Sequence, residues 1–301
     1  MPPFKSLPTP EEFLAKPQKA ICVIGMSGVG KTHLARRLRA GGGWFHYSVD
    51  YRIGTRYMGE HIVDSFKREA MKTPMLRDLL LSDSIYIANN ITFENLAPLS
   101  IYLGKPGDPE KGGLPFDEYL RRQRQHHAAE TAAMLDAAAF IDKARGIYGY
   151  DHFLCDASGS FVEIVDPTDP NDPVLQAVAE HMLLVYIQQG PGDADELAAR
   201  FDQDPKPMYY EEGFLKSLWR RHLDETGRKP EQVDPDAFIR WGFRALIAHR
   251  TPRYHAIAAN WGVTLEKDAV AAATTEQAFC AAVADGLAQR MAKSPATRAA
   301  G

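Results

Sequence analysis

The run "AICVIGMSGVGKTHLARRLRA", residues 20–40, constrains this chain more than any other stretch. Its first five residues are apolar and partly β-branched, as in a strand buried on both faces of a parallel sheet. Gly25, Gly28 and Gly30 follow, and glycine lets a backbone turn through positive φ without steric cost. "HLARRLRA" then sets Leu34 and Leu38 one turn apart, the spacing of a helix packed through one face. A strand, a glycine turn and a helix in direct succession form half of a βαβ unit, which needs further parallel strands to be buried. The expected class is therefore α/β.

Gly25, Gly30, Lys31 and Thr32 also satisfy G-x-x-x-x-G-K-[ST], a match expected by chance on the order of once in a hundred chains of this size. The pattern has a physical reason. Main-chain N–H groups of Met26, Ser27, Gly28 and Val29, with those at the helix start (Lys31, Thr32, His33), can surround a phosphate. Lys31 can reach the β- and γ-phosphates, and the Thr32 hydroxyl can ligate Mg2+. The alternative is a glycine-rich strand-to-helix turn with an exposed lysine. The loop reads as a phosphate cradle.

Three more segments look like strands. "WFHYSVD" (44–50) ends at Asp50, "YDHFLCD" at Asp156, and "HMLLVYI" spans 181–187. Ligands of open α/β sheets bind beyond the carboxyl ends of strands, so Asp50 and Asp156 are candidates to face the phosphates. Capping of the next turn is the structural alternative for both. "SGS" (158–160) follows Asp156. It reads either as a pocket wall or as the turn of a β-hairpin, because "FVEIVD" also alternates.

In order and spacing the chain resembles the shikimate-kinase-like and nucleoside-monophosphate-kinase-like branch of P-loop small-molecule kinases. Beyond the glycine loop, the resemblance rests on Arg200, on "KPMY" (206–209), on "RTPRYHAIA" (250–258) and on "GVTLE" (262–266). In that family the arginine ends the helix before a mobile lid, and R-x-P-x-Y opens a helix leading to the last strand. The resemblance implies a P-loop NTPase fold, with a parallel sheet flanked by helices. It also implies ATP and Mg2+ as cofactors and a small phosphoryl acceptor. Lys31, Asp50 and Asp156 would be catalytic, Thr32 and Asp156 would hold the metal, and Arg200 and Lys206 would close on the triphosphate. Asp50, Arg77, Ser158, Gly159 and Arg250 would bind the acceptor, with Arg68 as an alternative to Arg77; Ile62 and Phe66 echo an apolar pair.

The departures bear on substrate. Lys206 stands where arginine is usual, which keeps the charge and loses the bidentate fork. Ser48 replaces the first aspartate of an Asp-x-Asp, and "SGS" adds side chains to a glycine triplet. Shikimate is therefore not the expected acceptor. Two mainly helical inserts, about 74–147 and 213–243, have no counterpart in a minimal kinase of this type. The first contains a long helix, "FDEY…KARG", with Asp117 near its start and Gly146 as its stop. Arg121, Arg122, Arg124, His126 and His127 on it form either a solvated face or an anion or partner surface.

Composition removes several classes. At 301 residues, 45% hydrophobic and 25% charged, the chain has the mix of an ordinary globular protein. A formal charge of −4 gives no support for a nucleic-acid partner. Cys22, Cys155 and Cys280 are too scattered for a disulfide framework or a zinc site. No apolar run approaches the roughly 20 residues of a membrane span, and "MPPFKSLPTPEEF" lacks the apolar core of a signal peptide. The expected location is cytoplasmic. "DPTDPNDP" (166–173) reads as a rigid loop, without the calcium-loop pattern. The expected organisation is a flexible segment 1–18, a kinase-like domain 19–290 and a flexible tail 291–301. The reading is an ATP-dependent kinase of a small, anionic, hydroxylated metabolite. The second reading is a regulatory ATPase acting through a protein partner docked on the inserts.

Overall fold

Strand β1, Ala20–Ile24, is the centre of the sheet in the computed structural model, which describes residues 4–293. Ile21, Cys22, Val23 and Ile24 are all fully buried, which explains an apolar run without alternation. The other strands are β2 (Trp44–Ser48), β3 (His152–Asp156), β4 (Leu183–Gln188) and β5 (Gly262–Glu266). All neighbours pair in parallel, in the order β2-β3-β1-β4-β5.

Thirteen α-helices stand among the described residues. They are α1 (Pro10–Ala15), α2 (Lys31–Ala40), α3 (Val49–Arg52), α4 (Gly59–Ala70), α5 (Pro74–Leu81), α6 (Ala97–Leu103) and α7 (Phe116–Gly146). Then follow α8 (Pro173–His181), α9 (Asp193–Gln203), α10 (Glu212–Thr226), α11 (Pro235–Trp261), α12 (Lys267–Ala272) and α13 (Glu276–Lys293). The parallel sheet flanked by helices is the expected α/β class.

The chain divides into two compact units. The first comprises the described residues of Met1–Val49, Met134–Arg200 and Phe243–Gly301; the second comprises Asp50–Ala133 and Phe201–Gly242. These bounds differ from the expected inserts, 74–147 and 213–243. Helix α4 precedes residue 74 yet belongs to the second unit, α3 passes into that unit at Asp50, and α7 passes into the first unit at Met134.

The first unit holds the whole sheet. Trp44 on β2 packs edge-on against Phe279 of α13, and Tyr186 on β4 stacks on Tyr254 of α11 at 5.3 Å. The segment expected to be loose at 1–18 contains α1, a correction with a local cause. Thr9 and Glu12 form a reciprocal capping box, Phe13 is buried, and the helix packs on α13. Met291–Lys293 finish α13, and the rest of the expected tail lies outside the described residues.

Three local expectations change. The second strand stops at Ser48, and Asp50 sits in the first turn of α3, which continues as a π-helical turn, Ile53–Tyr57. "FVEIVD" forms a 3-10 turn, Phe161–Glu163, so the hairpin alternative falls. R-x-P-x-Y does not open a helix, because Pro252 lies inside α11. A proline there deletes one i→i−4 bond; in the same turn the Thr251 hydroxyl donates to the Ile247 carbonyl at 2.9 Å.

The second unit is helical. Here 206–209, the run matched to a mobile lid, is tied to α7. Tyr119 Oη and Gln123 Nε2 donate to the Met208 carbonyl at 3.0 and 3.2 Å, and the Tyr210 N–H donates to Gln123 Oε1 at 2.9 Å. Tyr209 and Tyr210 are buried. The three arginines of α7 within this unit each meet a carboxylate: Arg121 and Arg122 pair with Glu118, and Arg124 pairs with Glu212 through two bonds of 2.7 Å.

Candidate nucleotide site

The site in the first unit grows from the carboxyl end of β1. Gly25 leaves the strand at φ 148°, and a Cβ there would lie 2.8 Å from the Ile187 carbonyl of β4. Both the backbone conformation and the close approach therefore demand glycine. Gly28 and Gly30 take φ of 84° and 96°, which curls the chain so that α2 starts at Lys31. The residues from Gly25 to His33 thus make one loop and the first turn of a ten-residue helix, the geometry that gathers N–H donors around an anion.

Lys31 is only 7% exposed. Its ammonium folds back into the loop and donates to the carbonyls of Gly25 (2.7 Å) and Met26 (3.1 Å). A triphosphate in the loop would lie beside this charge. Next in sequence, Thr32 Oγ1 donates to Asp156 Oδ2 at 2.7 Å. Parallel register explains how two residues so far apart in sequence meet. Val23 on β1 and Ser48 on β2 both stand opposite Asp156, the last residue of β3, so the carboxylate emerges at the mouth of the loop. Arg200 of α9 lies alongside, with a guanidinium nitrogen 3.4 Å from where a Cβ of Gly28 would be. His33 is exposed on the first turn of α2.

Ser158, Gly159 and Ser160 form the turn after β3. The two serine hydroxyls face each other at 3.0 Å and are buried. Gly159 presses on the loop, since a Cβ there would be 2.6 Å from Ser27 Oγ. On the far side of the turn, Arg250 is 1% exposed. Its Nε donates to Glu163 Oε1 at 2.8 Å and its Nη1 to the Gly159 carbonyl at 2.7 Å. Burial alone would raise the Glu163 pKa. Hydrogen bonding from His249 and the charge and hydrogen bond of Arg250 win, and hold it at about 2.

The first unit thus brings together Gly25–Gly30, Lys31, Thr32, Asp156, Ser158, Gly159, Arg200 and Arg250 of the residues read from the sequence. Asp50, Arg77 and Lys206 belong to the second unit. Asp50 is half-buried; Arg77 is exposed and pairs with Asp78 at 3.6 Å. Lys206, with its side chain 67% exposed, pairs with Asp204 at 3.2 Å.

Two residues escaped the sequence reading. His46 is buried on β2, its Nε2 3.6 Å from Asp156 Oδ2; the signal was a histidine inside an apolar strand. Glu163 looked like one polar step in an alternating run, and nothing local linked it to Arg250.

The donor set suits a hard cation only together with phosphate oxygens. Among the described residues no group of three or more His, Cys, Asp or Glu side chains could hold a metal. Mg2+ takes one or two protein oxygens, phosphate oxygens and water, and Thr32 with Asp156 meets that description.

A five-stranded parallel sheet flanked by helices, with the glycine loop between β1 and α2, defines an α/β fold built on a P-loop-type strand–loop–helix unit. No family model and no curated protein matches the chain. Among solved structures, a shikimate kinase from Bacteroides thetaiotaomicron aligns over 91% of this chain and 96% of its own, at 12% identity and a TM-score of 0.37. So distant a likeness says nothing of activity or substrate. No helix among the described residues is long and apolar enough to cross a membrane.

Proposed function

We propose that the chain is a phosphotransferase that moves the γ-phosphoryl group of ATP, with Mg2+, to a hydroxyl of a small, anionic metabolite. The observation that supports it most is the contact between Thr32 and Asp156, a hydroxyl and a carboxylate oxygen 2.7 Å apart beside a buried lysine in a glycine loop. Phosphoryl transfer asks a protein for positioning and charge neutralisation more than for covalent chemistry. When bound, Mg2+ would supply positive charge that offsets the charge of the phosphates.

The chain's own residues would do the rest. The N–H groups from Met26 to His33 bind the phosphates. Lys31 exchanges loop carbonyls for phosphate oxygens and offsets charge on the transferred group. Thr32 and Asp156 orient the metal, and Arg200 sits where it can cover the loop. Asp50, as the group that orients the acceptor hydroxyl, and Arg77 and Lys206, as anion ligands, rest on the resemblance alone.

The test is ADP release by the purified chain with Mg2+, against a panel of hydroxylated carboxylic and phosphorylated metabolites, with products identified by mass spectrometry. The expected result is ADP release stimulated by one acceptor class, with a product 80 Da heavier, the mass of one added phosphoryl group. Slow hydrolysis indifferent to every acceptor would overturn this reading in favour of a regulatory ATPase with a protein partner.

A further inference from the structure

Arg250 and Tyr254 lie one helical turn apart on α11, and both donate to the same acceptor, the carbonyl of Gly159, at 2.7 and 2.8 Å. Two donors use both lone pairs of that oxygen, which leaves the 158–160 turn one position. The clamp is built on buried parts. Tyr254 is fully buried, and Arg250 is held by Glu163, itself 2% exposed, with His249 Nε2 3.4 Å from the other carboxylate oxygen. Arg253 on the same helix fixes the next stretch of chain, donating to the carbonyls of Val162 and Val165.

The opposite side of the turn meets the glycine loop. Gly159 packs closely against it: a Cβ would stand 2.6 Å from Ser27 Oγ, which would have to rotate away, and 3.2 Å from the Ser27 nitrogen. That nitrogen is one of the donors that would face phosphate. A displacement of the Gly159 carbonyl is therefore a displacement of the surface on which Ser27 rests, since close-packed interiors transmit strain.

We propose that Arg250 and Tyr254 are positioning residues for the nucleotide loop, acting through the Gly159 turn, and that Arg250 is not a ligand of the acceptor anion. The proposal rests on the reading of residues 25–33 as a triphosphate cradle. Physical cost argues against the ligand role. Turning the Arg250 guanidinium toward a substrate would leave Glu163 a buried carboxylate stripped of its main counter-charge, and uncompensated buried charges are strongly unfavourable.

The experiment measures the equilibrium dissociation constant of MgADP, with thermal unfolding alongside, for the full chain and for Tyr254→Phe, Arg250→Lys, Ser27→Ala and the Tyr254→Phe/Ser27→Ala pair. Tyr254→Phe removes one hydroxyl and should raise the MgADP constant by about threefold to tenfold, the range for one lost hydrogen bond. Acceptor KM should not move. In the Ser27→Ala background the effect should shrink, because the contact that carries it is gone. A Tyr254→Phe protein that melts earlier but binds MgADP like the parent overturns the proposal, as does a penalty confined to acceptor KM. Should Arg250→Lys fail to fold, Tyr254→Phe alone decides. If the parent chain binds no MgADP at all, this proposal and the proposed function fall together. Normal parental binding with unchanged variants removes this proposal only.

Discussion

Replacing Glu163 with glutamine should cost stability in a way that depends on pH, and the size follows from the structure. The carboxyl is held at about 2 against an ordinary 4.5, with burial opposing the shift and His249 and Arg250 enforcing it. A depressed carboxylate pKa contributes stability that is fully present above the unfolded value and disappears as pH falls through the folded one. A shift of this size is worth about 3 kcal/mol above pH 5, of which about 1 kcal/mol is already lost at pH 3.5. At pH 7 Glu163→Gln also leaves the Arg250 charge buried beside a neutral amide, a loss of about 3–5 kcal/mol. The other carboxylates are shared by both proteins, so they cancel in the difference. Urea unfolding followed by tryptophan fluorescence can read it, since Trp44 and Trp261 are buried in the same unit. The stability gap between parent and variant should narrow by about 1 kcal/mol between pH 7 and pH 3.5. A gap that stays constant over that range would refute the pairing as the source of the depressed pKa.

Asp156→Asn should keep nucleotide binding and lose most of its dependence on Mg2+, checked by titrating ATP with and without the metal; unchanged Mg2+ dependence would remove Asp156 from the metal site. Asp50→Asn should bind ATP normally and lose phosphoryl transfer, and normal transfer would take Asp50 out of the mechanism. Gly159→Ala should lower stability by about 1–3 kcal/mol, as overpacking does. Part of that loss should return with Ser27→Ala, because the clash at 2.6 Å is with Ser27 Oγ; a stable Gly159→Ala protein would show the turn to be looser than described.

The strands at 20–24 and 152–156 were legible because buried parallel strands are written as short apolar runs, the strand at 262–266 was read from the resemblance alone, and α7 was legible because no proline or glycine interrupts the run from Phe116 to its stop at Gly146. The loop from Gly25 to Thr32 was legible because its residue types and spacing are contiguous in the sequence, whereas the approach of Gly25 to Ile187 and of Thr32 to Asp156 was not. The capping box of α1 was equally local but was outweighed by the prolines around it. Other features could not be read in this way. The partnership of Arg250 with Glu163 and Gly159 spans about ninety residues and exists only once α11 lies against the turn after β3. The placement of 206–209 on α7 has the same character, since it depends on Gln123 and Tyr119 meeting a carbonyl that any sequence supplies. Pro252 misled for a different reason: the resemblance placed R-x-P-x-Y at a helix start, whereas here α11 runs through the proline.

Everything proposed for this chain depends on residues 25–33 binding the phosphates of a nucleotide. Calorimetric titration of the intact chain with MgATP, beside Lys31→Ala, tests it most directly. The expected result is one saturable site in the parent and a loss of affinity of at least about a hundredfold in Lys31→Ala, roughly the worth of a charge-assisted contact in a water-excluded site, with the melting temperature little changed. Absence of binding by the parent, or equal binding by the two proteins, would contradict it.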